Sequence, residues 1–170
     1  MQGVAGPLRS AVASHLGSRD VTRVIYGTVI GLALVVALGS HPKSAGHAVA
    51  VIAGTALAVG LAEMYSELIG GEARTRRRVS ATELRAAARE SLAVMFGAGF
   101  PVVFFVLSAA GAFDVGLAFT LSKWTGLGLI CAYGYLAGRM SGSGVGGALL
   151  HSLAVGAIGG LLIGLKALLH

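Results

Sequence analysis

VIYGTVIGLALVVALGSHP, residues 24–42, lies between Arg23 and Lys43 and contains no Asp, Glu, Lys or Arg. A helix rises about 1.5 Å per residue, so this run reaches about 28 Å, close to the roughly 30 Å hydrocarbon thickness of a bilayer. Four more stretches read the same way outward from it. The second begins at Ser44 and stays largely apolar to Gly70, although it holds Glu63 and Glu67; the third covers Ser91 to Phe113. The fourth lies between Asp114 and Arg139, interrupted by Lys123, and the last runs from Met140 to Leu165. The chain is therefore expected to be an all-α integral membrane protein with five transmembrane helices, spanning approximately residues 21–40, 46–70, 90–111, 114–138 and 144–168. Residues 1–20 precede this 21–170 domain as a cytoplasmic arm or interfacial helix, because Pro7 and broken apolar stretches do not make a signal peptide.

Composition agrees. Only 12% of the 170 residues are charged, 55% are hydrophobic, and mean hydropathy is +0.82; soluble domains carry about 25% charged residues. One cysteine, Cys131, excludes a disulfide scaffold. The net charge of +6 does not point to nucleic acid, since the basic residues sit between apolar runs. Charge placement orients the chain instead. With the N-terminus inside, the inner segments hold ten arginines (9, 19, 23, 74, 76, 77, 78, 85, 89 and 139), whereas the outer ones hold Lys43 and Lys166. Positive residues favour the cytoplasmic side, so N-in, C-out is expected.

The basic cytoplasmic loop 71–89 contains Ser80-Ala-Thr-Glu83, the pattern of a capping box, so a helix is expected to start at Ser80 and run into the third span. Arg74, Arg76, Arg77 and Arg78 serve as a topology signal and attract anionic lipid headgroups. Pro42 and Gly39 mark a turn near His41 and Lys43. Gly27 and Gly31 in the first span, and Gly156, Gly160 and Gly164 in the last, have the spacing that lets helices approach closely, within one subunit or in an oligomer.

Ionisable side chains inside a span cost roughly 2.5–3.5 kcal/mol on insertion scales and usually face the protein interior or water. Glu63 and Glu67 are four residues apart, hence on one helical face. Two such carboxylates can share a proton or hold a divalent cation, with Met64, Ser66 and Thr28 as auxiliary lining. They can also pair with Arg74 and Arg76–Arg78 at the interface, Glu67 more readily because it lies closer to the end of the span than Glu63. Lys123 lies about 13 Å below the outer end of its span and either snorkels beside Trp124 or serves as a charge partner for a glutamate. His41 and His47 are weak candidates for an outer metal-capture point; His151 and Cys131 read as packing residues.

Several segments resemble the vacuolar iron transporter family of five-helix divalent-metal exchangers. Residues 20–31, DVTRVIYGTVIG, are similar to its Gly-rich opening span, and 62–67, AEMYSE, to its acidic, methionine-containing second helix. Residues 96–104, FGAGFPVVF, look like its Gly-Ala-x-x-Pro segment, and Ser141-Gly-Ser-Gly144 precedes a similar last helix. The resemblance implies a homodimer exchanging Fe²⁺ or Mn²⁺ for protons, with Glu63 (or Glu67, one turn on) as the second-helix carboxylate and Met64 as an approximate match to the family methionine. The family's first-helix aspartate has no counterpart around Thr28–Ile30, and the short basic segment from Gly71 to Ser80 replaces its cytosolic glutamate-rich domain.

The expected function is transport of a divalent metal cation, with the ion as substrate and no permanently bound cofactor. Alternatives are a non-transporting scaffold that holds a membrane partner protein and, third, a passive ion channel. No enzyme motif is present. High Ala, Gly and Arg content points to a GC-rich bacterial source and hence a plasma membrane.

Overall fold

The computed structural model describes residues 18–39 and 44–169, without the side chains of 18–20, 166, 167 and 169. The arm before residue 18, the turn at His41–Lys43 and the Lys166 side chain lie outside the described residues. Within them the chain is all helical: α1 (Ser18–Leu38), α2 (Ala45–Thr75), α3 (Ala81–Gly99), α4 (Val102–Ala109), α5 (Val115–Met140) and α6 (Val145–Leu169). Four of these are long and apolar enough to cross a membrane, and α3 with α4 make a fifth crossing if the bent pair counts as one.

A bend lies within the third span expected over 90–111. The axes of α3 and α4 differ by 50°. Pro101 sits at the break and has no N–H to offer the Gly97 carbonyl, while its ring crowds that carbonyl. The helices on either side reach into the basic segment 71–89. Helix α2 runs on to Thr75 and stops where Arg76 takes a left-handed conformation (φ 51°) with its N–H on the Glu72 carbonyl. The Glu72 side chain then accepts from the Val79 N–H, closing the turn. Helix α3 starts at the capping box anticipated at Ser80 and Glu83. At the far end of the bundle, Asp114 caps α5 by accepting from Leu117 N–H.

Side-chain register sets the directions. Gly27 opposes Val94 and Gly31 opposes Ala98, so α1 and α3 run parallel. A Cβ on Gly31 would lie 2.6 Å from the Ala98 carbonyl oxygen, and one on Gly97 2.7 Å from the Thr28 nitrogen, so these backbones touch through glycine alone. Helix α2 runs the other way, with Gly60 against Met95 and Ala56 against Gly99. Gly134 faces Ser152 and Gly138 faces Ala148, making α5 and α6 antiparallel. The Gly27–Gly31 pair thus packs inside the subunit. In α6 the spacing splits: Gly156 faces Cys131, whereas among the described residues nothing lies within 4 Å of where a Cβ on Gly160 or Gly164 would stand.

Phe105 and Phe119 meet edge to face with centroids 4.7 Å apart. They share one core cluster with Val35 and Ile52, while Leu32, Val36 and Ile130 form a second. Helix α1 contributes to both and is the central post of the bundle. Its first turns stand at the same end as the α2–α3 turn, where the arginines collect.

Candidate functional site

At that end a guanidinium is held between carboxylates from two other helices. Arg23, in the second turn of α1, donates from Nη1 to Glu63 Oε1 and from Nη2 to Glu90 Oε2, both at 2.5 Å. Glu67 Oε2 lies 3.8 Å from Nη2. The side chains of Arg23 and Glu90 are only 16% and 15% exposed, Glu63 is 30% and Glu67 40%. The gradient shows that the cluster opens toward Glu67. Among the described residues three carboxylates from two helices gather at one guanidinium, Glu90 has a further interaction besides, and Arg74 lines the adjoining cleft.

Local sequence explains the convergence. Glu63 and Glu67 share a face of α2 because they are one turn apart. Glu90 lies ten residues beyond Ser80, where the polar first half of α3 gives way to its apolar half. Next to it, the buried Ser91 hydroxyl donates to the Gly60 carbonyl at 2.5 Å, which pins α3 to α2 below the cluster. Above the cluster the same two helices separate. A cleft of about 250 Å³ lies between them, lined by Glu67, Leu68 and Arg74 of α2 and by Glu83, Ala87 and Glu90 of α3. Glu67 and Glu90 belong both to this cleft and to the Arg23 cluster, so the cleft leads to Arg23 from the arginine-rich end.

The arginine turn is a separate electrostatic unit. Arg77 donates to both Glu83 oxygens, at 2.6 and 3.0 Å, and Ser80 donates to Glu83 from its N–H and hydroxyl. These donors, Arg77 first, hold the Glu83 carboxyl down at about 2, and the carboxylate in turn raises the Arg77 guanidinium.

The partner of Glu63 and Glu67 is thus Arg23, neither Lys123 nor Arg74 and Arg76–Arg78. Lys123 is half-buried on α5 and makes no ion pair among the described residues. Thr28 is fully buried at the α1–α3 contact, where its hydroxyl donates back to the Val24 carbonyl at 2.7 Å. Ser66 faces outward and Met64 is half-buried; neither lines the cleft. Arg76 and Arg78 are exposed. His47 is exposed in the first turn of α2, and His151 is exposed on α6 with Nδ1 3.2 Å from the Gly147 carbonyl. Among the described residues no three His, Cys, Asp or Glu side chains are grouped so as to hold a metal ion.

Two members of the cluster, Arg23 and Glu90, were not singled out by sequence reasoning. Each stands at the polar boundary of a span, at matching depth from the arginine-rich end, and that is the signal that pairs them. Compared with protein-family models, curated proteins and solved structures, the chain matches none.

Proposed function

We propose that the protein moves a cation across the membrane and that Glu63, Glu67 and Glu90 handle it at the arginine-rich, cytoplasmic end of the bundle. The observation that carries this reading is the convergence of three carboxylates from two helices at Arg23, beside a cleft that opens to that end. Carboxylate oxygens suit hard divalent cations, so the cargo would be an ion such as Mn²⁺ or Fe²⁺, exchanged for protons. Because the three carboxylates do not group round a metal position while Arg23 is paired with them, the ion would bind only when those pairs are released. The open faces at Gly160 and Gly164 suit a homodimer. Anionic lipids would gather at the arginine turn, and the membrane would be a bacterial plasma membrane.

A second reading is favoured by a specific observation: Arg23 already occupies the space between Glu63 and Glu90 and ties three helices together. In that reading the cluster is a structural clasp, and the protein is a scaffold for a membrane partner. Proteoliposome flux separates the two. The parent should carry Mn²⁺ and the Glu63→Gln/Glu67→Gln variant should not. Silence of the parent under every ion and pH gradient, together with stoichiometric co-purification of another membrane protein, would establish the scaffold.

A further inference from the structure

Helices α1 and α3 are joined at backbone level through Gly27, Gly31 and Gly97, so the two form a rigid pair over that length. The attachment of α2 to this pair is of another kind. Near the cluster it rests on the Ser91–Gly60 hydrogen bond, on the flexible Met95 side chain over Gly60, and on the ion pairs of Arg23. Beyond them toward the arginine-rich end, α2 and α3 are separated by the cleft. Arg23 therefore stands where the separated part of the α2–α3 seam meets the packed part. Its fork spans the seam, one nitrogen on Glu63 of α2 and the other on Glu90 of α3.

We propose that Arg23 is a tethered plug: its guanidinium closes the inner end of the α2–α3 cleft by bridging Glu63 and Glu90, and the seam below opens to water from the arginine-rich end when that bridge is released. This rests on the transport reading for its purpose, since a closed mouth matters where something crosses. The guanidinium suits the role because its planar fork reaches two carboxylates at once, whereas an ammonium is a single point of charge. Seam and plug also lie on the same side of the Pro101 bend, so α3 can shift against α2 while α4 keeps Phe105 in the core.

The test reads water access rather than transport. In full-length protein carrying Cys131→Ala, Ser91→Cys places a thiol in the seam just below the cluster, and Val35→Cys places one in the core as a control; both parent positions are buried. The probe is trimethylammonium-ethyl methanethiosulfonate, added to protein in nanodiscs. With Arg23 present, the thiol at 91 should react slowly. Arg23→Gln should raise that rate at least tenfold and leave the thiol at 35 unreactive. Arg23→Lys, which keeps the charge but loses the fork, should give an intermediate rate and serves if the glutamine variant does not fold. Equal rates at 91 with and without Arg23 overturn the plug, and so does a parallel rise at 35, which would mean general loosening. The transport reading fails separately, by absence of flux in the parent.

Discussion

Arg23 and Glu90 are separated by 67 residues in sequence and meet at 2.5 Å, each less than one-fifth exposed. That contact joins the first turns of the central helix to the midpoint of α3, at the depth where polar sequence gives way to apolar. With Glu63 on the other arm of the guanidinium, it makes α1, α2 and α3 one electrostatic unit at the arginine-rich end.

Removing the arginine should cost far more than removing its outermost partner. Arg23→Met removes the guanidinium that Glu63 and Glu90 share, a change expected to destabilise by about 3 kcal/mol. Glu67→Gln touches a pair 3.8 Å long and 40% exposed, so its effect should stay below about 1 kcal/mol. Chemical denaturation in detergent, with both variants under the same conditions, measures the difference. Equal effects would show that the cluster does not hold the helices together.

Glycines in the same bundle should respond in opposite ways. Gly97→Ala drives a methyl into the α1 backbone at Val24 and Thr28, where no side chain can move aside, and should cost about 1–3 kcal/mol. Gly160→Ala meets open space and should leave the monomer's stability within about 0.5 kcal/mol. Thermal unfolding of the two variants in detergent tests the pair.

Much of this was legible in the sequence, and the reasons are physical. Apolar runs bounded by charges report where the chain leaves the bilayer, so the spans, and with them the membrane class, follow from residues such as Arg23, Lys43 and Asp114. The capping box at Ser80 and Glu83 is local chemistry and emerged as read. Hydropathy reports depth, however, and says nothing of which way a helix faces. Sequence proximity therefore points Glu63 to Arg74 and Arg76–Arg78, whereas the arginine at the right depth stands on another helix. Pro101 lies inside a continuous apolar run, which hid the 50° bend, although a missing N–H marks the place.

Glu83 should titrate far below an ordinary glutamate. Its carboxyl is held at about 2 against an ordinary 4.5 by Arg77 and Ser80. A folded-state pKa lower than the unfolded one means that the ionised cap stabilises the α3 start fully above pH 4.5. The contribution is lost as pH falls from 4.5 toward 2. Side-chain carboxyl NMR should give a midpoint near 2 for Glu83, moving up toward 4.5 in Arg77→Gln. A parent midpoint near 4.5 would mean that the contacts do not persist at the membrane surface.

Whether one cation-handling site draws on α2 and α3 together is read by Mn²⁺ uptake into proteoliposomes. Glu63→Gln, Glu67→Gln and Glu90→Gln should be compared singly at equal reconstituted protein. Glu63→Gln and Glu90→Gln are expected to cut the rate at least tenfold and by similar amounts, with a milder loss for the more exposed Glu67→Gln. Uptake that survives Glu90→Gln unchanged, or that none of the three changes, would rule out a shared site.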